Sequence, residues 1–93
     1  MRKIEYASAF NRDFKREKKG RHRETLSADV QGVVDTLASD RELPKRYRDH
    51  ALSGNWAVYR ECHVKPDLLL IYRKVNGDTL RLVRLGSHSE LFG

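Results

Sequence analysis

Ninety-three residues give a chain with room for one core, so residues 1–93 are read as a single domain. Lys and Arg outnumber Asp and Glu by 19 to 13, a net charge of +6, which favours an acidic partner such as nucleic acid or an acidic protein. One cysteine, Cys62, excludes an intrachain disulfide and a cysteine-rich zinc module, and fits a reducing compartment. No apolar run approaches the roughly 18 residues of a membrane span. The basic N-terminus has no apolar stretch behind it, so it does not read as a signal peptide. The expectation is a cytoplasmic protein without membrane contact.

Ile4–Ala7 alternates weakly and predicts a short first strand. Ser8 is a candidate N-cap for a helix that carries the i,i+4 pair Phe10 and Phe14 and is otherwise mostly basic. Gly20 is expected to end it in a left-handed C-cap. In the second helix Leu26, Val30, Val33, Val34, Leu37 and Ala38 form one apolar stripe, and Leu43-Pro44 lies beyond its end as a stop. Gly32 fits either a close helix crossing or a tolerated surface position.

Lys45–Asp49 is a basic connector, and Ser53-Gly54-Asn55 is turn material. Trp56–Cys62 alternates with two mixed faces and reads as a strand. Leu68–Val75 is nearly continuous in apolar residues, as expected of a central strand covered on both faces. Asn76-Gly77 predicts a hairpin into Asp78–Leu85. The order β-α-α-β-β-β predicts an α+β fold, with a two-helix hairpin on one face of an antiparallel sheet.

The reactive residues stand at the junctions. His50 precedes the first strand of the meander. His63 and Asp67 flank its first turn, Arg84 stands at the end of its last strand, and His88 follows that strand. The last strand runs parallel to the first of the meander, so His88 should emerge at the same rim as His63. His50 lies nominally at the other end, and reaches the rim only if the connector folds back along the sheet.

Gathered together, these parts suffice for cleavage of RNA by its own ribose. Imidazoles titrating near 6.5 supply base and acid. A guanidinium holds a phosphate and offsets its developing charge. Lys45, Arg46 and Arg48 are expected to contact substrate, with Phe92 or Tyr59 available to stack on a base.

Each residue also has a structural reading. Asp67 after Pro66 fits a turn. Arg84 shares parity with the inward Leu80 and Leu82, which places it in a buried ion pair unless the strand bulges before Gly86. Phe92 can serve only to cover the core edge, and the basic stretch from Arg12 to Arg23 fits a solvated face. Three histidines and an aspartate could ligate a metal, but none of the usual short-spaced ligand pairs occurs.

Four motifs together resemble one known family. These are Tyr47–Trp56, Tyr59–Asp67, Leu70-Ile71-Tyr72 and Arg84–Gly93, and they cover about half the chain. They look like the YafQ-type toxins of the RelE/ParE superfamily, from bacterial type II toxin–antitoxin systems. The resemblance implies a ribosome-dependent mRNA endonuclease with no metal cofactor. It also implies a cognate antitoxin that wraps and neutralises the toxin, and operator DNA bound only through their complex.

By the same resemblance His50, His63, Asp67, Arg84, His88 and Phe92 are the active-site positions. His50 and His88 would transfer protons, Arg84 would contact the phosphate, and His63 and Asp67 would position site or substrate. Leu68 departs from relatives that carry Trp there, which removes a stacking surface. The superfamily also contains gyrase inhibitors, so a non-enzymatic block of a nucleic-acid machine is the competing reading. The histidine set argues for the ribonuclease branch.

Overall fold

All six residues of the apolar stripe in the second helix are buried, and the sheet is arranged around that stripe. In the computed structural model, which describes residues 1–93, the strands are β1 (Lys3–Tyr6), β2 (His50–Ala51), β3 (Arg60–Lys65), β4 (Leu68–Val75) and β5 (Thr79–Gly86). The helices are α1 (Ser8–Glu17), α2 (Leu26–Ala38) and the short α3 (His88–Phe92). The sheet order is β1-β5-β4-β3-β2, with β1 parallel to β5 and every other pair antiparallel. The fold class and element order agree with the sequence reading, with a two-residue strand and a C-terminal helix added.

The stripe of α2 meets Phe10 of α1 and one face of the meander, where Cys62, Val64, Leu68, Leu70, Tyr72, Leu80, Leu82 and Leu85 are buried. β4 is covered on both faces, as its unbroken apolar run requires: Leu69 and Ile71, on the face away from α1 and α2, are 2% and 1% exposed. Leu68 sits in the helix-side core, so the position that departs from the Trp-bearing relatives is closed to substrate in this chain. Burial pushes the Cys62 thiol up, which removes it as a nucleophile. Gly32 is exposed with open space around it, a tolerated surface glycine.

Several local expectations are corrected. Ala7, not Ser8, is the N-cap of α1, with no side-chain cap. The Ala7 N–H still donates to Leu82 O of the sheet, so the chain passes from strand to helix without a capping residue between. Gly20 does not end α1 in a left-handed turn. Lys18, Lys19 and Gly20 donate to Phe14, Arg16 and Glu17 carbonyls, and this tightened turn satisfies the helix end. Trp56 does not start a strand: Gly54–Trp56 is a 3-10 turn closing the β2–β3 hairpin, with Gly54 at φ +63, and β3 begins only at Arg60. The β4–β5 hairpin has Val75 opposite Thr79, and Asn76 takes the left-handed conformation at φ +56.

Asp49 decides the path of the connector. Its carboxylate accepts from the buried Tyr72 hydroxyl at 2.5 Å and lies 3.4 Å from Arg60. This anchor pulls the chain back along the sheet, and His50 then pairs with Glu61 as the first residue of β2. Tyr72→Phe is expected to remove about 1.5–3 kcal/mol, the worth of a hydrogen bond to a charged group. Urea denaturation measures the loss, and amide exchange should quicken at His50 and Leu52 ahead of the rest of the sheet.

Candidate active site on the open face of the sheet

Strand pairing puts His50, His63 and Arg84 on the face away from α1 and α2. Residues directly opposite in adjacent strands share a face. His50 pairs with Glu61, Glu61 with Ile71, and Ile71 with Arg84, so one row crosses four strands. A second row runs from His63 through Leu69 to Gly86. At about 4.8 Å per strand, the backbones of His50 and Arg84 stand roughly 14 Å apart on a common surface.

Arg84 reaches that surface through a bulge. Tyr72 pairs with Leu82 but Ile71 with Arg84, which leaves Val83 as an extra residue in β5. The strand shifts phase there: Leu80 and Leu82 face the helices before it, Leu85 after it, and Arg84 faces the other way. The guanidinium is also ion-paired. Arg84 Nε donates to Asp13 Oδ2 at 2.7 Å and Nη2 to Oδ1 at 3.3 Å. The bulge and the ion pair, alternatives in sequence, are both present.

The two imidazoles of the β2–β3 region are held alike. His50 Nδ1 lies 2.7 Å from the Arg48 carbonyl, and His63 Nδ1 lies 3.2 Å from the Pro66 carbonyl. A carbonyl only accepts, so each Nδ1 carries the proton, and in the neutral ring Nε2 presents its lone pair. Both Nε2 atoms approach one atom, Glu61 Oε1, at 3.8 Å for His50 and 3.7 Å for His63. Those distances are too long for hydrogen bonds but well inside the range of a charge interaction. Glu61 is buried and was not singled out from sequence. Its i,i+2 spacing from His63 was the available signal, since alternate residues of a strand share a face.

His63 lies where three clefts meet. One, of about 450 Å³, is lined by His63, Pro66, Asp67, Leu69 and Ser87–Ser89, and so brings His88 and Asp67 to His63. Another, of about 370 Å³, is lined by Arg46, Arg48, His63 and Pro66. A third, of about 320 Å³, runs from His63 and Pro66 to Asp29 and Tyr47. Lys45 instead shares a cleft with Arg48, Asp49 and Arg60 toward the connector. Ser87 caps α3 in a reciprocal capping box with Glu90, which fixes His88 at the first helical position. Phe92, 41% exposed, packs against His88 and edge-on against Trp56, and Tyr59 meets Trp56 with the rings tilted by 56°.

Asp67 is more than a turn residue. His22 Nε2 donates to its Oδ1 at 2.7 Å, and Arg21 Nη1 lies 3.0 Å from Oδ2. Burial by itself would raise its carboxyl, but the bond from His22 and the charge of Arg21 outweigh it, and the carboxyl ends below its ordinary value. His22 thus ties the α1–α2 loop to the site, a link with no signature in sequence spacing.

The architecture is that of the RelE-like toxins, a two-layer α+β fold with its two long helices on one face of the sheet. The family model described as a bacterial toxin of type II toxin–antitoxin system, YafQ, matches residues 2–93, and the chain belongs to this family. The mRNA interferase toxin YafQ of Escherichia coli K12 is 39% identical over 94 residues, covering 100% of this chain and 98% of that protein. The crystal structure of YafQ from E. coli BL21(DE3) superposes with a TM-score of 0.86 at 35% identity over 100% of both chains. In the E. coli DinJ-YafQ complex the matching chain gives a TM-score of 0.85 at 36% identity, again over 100% of both.

Asp13 and Asp67 both have carboxyls below their ordinary values. For Asp13 the desolvation that would raise it is outweighed by the bond from Arg84, the Leu85 N–H and the charges of Arg84 and Arg16. Depressed carboxylates stabilise the fold above the unfolded value of about 3.9 and lose that contribution as pH falls through the folded values. The thermal midpoint should therefore fall steeply below about pH 4. Asp13→Asn should flatten that fall more than Asp67→Asn, because Asp67 is 43% exposed and solvent screens it.

Proposed function

We propose that this chain is an mRNA endonuclease of a toxin–antitoxin pair, acting without a metal on mRNA held by the ribosome. The observation that supports the proposal is the sheet face shared by His50, His63 and Arg84, with His88 lining a cleft beside His63. The name of the E. coli K12 relative, an mRNA interferase, supports the same chemistry.

The step balances within the substrate. A base takes the 2′-hydroxyl proton, the 2′-oxygen attacks phosphorus, the bond to the 5′-oxygen breaks, and an acid returns a proton to that oxygen. We assign the proton transfers to His50 and His88. His63 lies beside the same Glu61 carboxylate and orders the site from the strand between them. Arg84 contacts the phosphate: Asp13 occupies two of its five N–H donors and leaves the others for non-bridging oxygens. Asp67, held by His22, fixes the turn beside His63. Arg46 and Arg48 line the approach for the backbone, Lys45 extends that basic rim, and the exposed face of Phe92 can take a base.

The protein partner is a cognate antitoxin, as the E. coli relative is found in complex with DinJ. Operator DNA is reached through that complex, and the working compartment is the cytoplasm.

Expression of the chain without antitoxin should arrest growth, and the folded His50→Ala/His88→Ala variant should restore it. Full toxicity of that variant would remove the mechanism. Mapping transcript 5′ ends after induction should reveal discrete cuts inside coding regions. Arrest with intact transcripts and altered supercoiling would instead point to a gyrase inhibitor. Toxin stripped with EDTA and then dialysed free of it should cleave mRNA on ribosomes supplied with Mg2+ alone, whereas a requirement for added zinc or another transition metal would establish a metal-dependent nuclease.

A further inference from the structure

α1 supplies none of the candidate site residues, yet two of its polar side chains hold the site from behind. β1 ends at Tyr6, opposite Leu82, so the edge of β5 beyond that point has no strand partner. Asp13 and Arg16 of α1 take its place. Asp13 Oδ2 accepts from the Leu85 N–H at 3.0 Å, and Arg16 Nη2 donates to the Leu85 carbonyl at 2.8 Å. The same two side chains reach further. Asp13, wholly buried, accepts both bonds from Arg84 and a third from Arg16 Nη1 at 3.0 Å. Arg16 Nε lies 3.1 Å from Glu90 Oε2, in the helix that begins with His88.

Gly86 makes this closure possible. A Cβ there would stand 2.7 Å from Arg16 Nη2, 3.1 Å from Glu90 Oε1 and 3.2 Å from Leu91. The strap therefore lies directly against the backbone between Arg84 and His88.

We propose that Asp13 and Arg16 are positioning residues of the reaction, Asp13 fixing the guanidinium of Arg84 and Arg16 fixing the helix that carries His88. The inference rests on the roles given above to Arg84 and His88. Edge capping alone does not account for the arrangement. One neutral acceptor would serve the Leu85 N–H, whereas Asp13 is a desolvated charge shared between two guanidiniums. Buried ion pairs add little net stability, because desolvation offsets their attraction. What this one supplies is a fixed direction for a long, flexible side chain, and an error of about 1 Å in such a placement can cost on the order of 100-fold in rate.

Two mutant cycles test the proposal, with cleavage of a reporter mRNA in a translating extract as readout and circular dichroism to establish the folded fraction. Asp13→Asn should lower the maximal rate by roughly 10- to 100-fold. The toxin concentration giving half-maximal rate should move by less than about threefold, because Asp13 does not touch substrate. In an Arg84→Lys background the same substitution should cost less than about twofold. Arg16→Gln, at a side chain 40% exposed, should likewise lose most of its effect in a His88→Gln background, with circular dichroism again setting the folded fraction.

A single substitution that leaves the rate unchanged, or a loss repeated in full in the second background, would assign that side chain a purely structural role and overturn its part of the proposal. If Arg84→Lys and His88→Gln themselves leave the rate unchanged, the functional reading fails and this inference with it.

Discussion

One inserted residue sets the chemistry of this sheet. Without the bulge at Val83, the alternation that buries Leu80 and Leu82 would carry Arg84 into the helix-side core and turn Leu85 outward. With it, Leu85 stays buried and the guanidinium joins the row shared by His50 and Glu61. The shift is possible because β1 has already ended. β5 is paired on one side only at that point, and Asp13 and Arg16 satisfy the freed backbone in place of a strand.

A comparable device works at the other end of the row. β2 is only two residues long and could not hold itself on the sheet by its ladder alone. Asp49 supplies the hold, accepting from Tyr72 and approaching Arg60 on the helix side, while its neighbour His50 falls on the open side. The alternation of a strand thus converts an anchor on one face into a functional placement on the other. Glu61 between the two imidazoles completes the arrangement.

The division of labour between face and rim follows from burial. Leu69 and Ile71 floor the open face, and the imidazoles of His50 and His63 beside them are anchored to backbone carbonyls. The basic side chains Lys45, Arg46 and Arg48 stand at the rim without a buried partner, which suits them to a phosphate backbone arriving from outside. Phe92, carried on a capped helix of a single turn, adds an apolar surface at the same rim. The helical half is not passive: Asp13 ends on Arg84, His22 on Asp67, and Arg16 on Glu90 in the helix that begins with His88.

Periodicity and punctuation were enough for the layers. The stripe of α2, the unbroken run of β4 and the Asn76-Gly77 turn each encode their element locally, because burial on one face or two leaves its period in the chain. The reactive residues were legible as types at strand junctions, and the combined motifs carried the family. The start of β3 was misplaced because an alternating stretch around Trp56 looks alike in a strand and in a turn.

What only the folded chain decided is who meets whom. Neither the bulge at Val83 nor the return of the connector can be inferred from spacing, since both depend on partners up to 72 residues away, Asp13 for Leu85 and Tyr72 for Asp49 among them. A sequence fixes the period of each strand through its own neighbours. The phase between strands, and with it the set of side chains that share a face, is set by contacts that exist only once the sheet has closed.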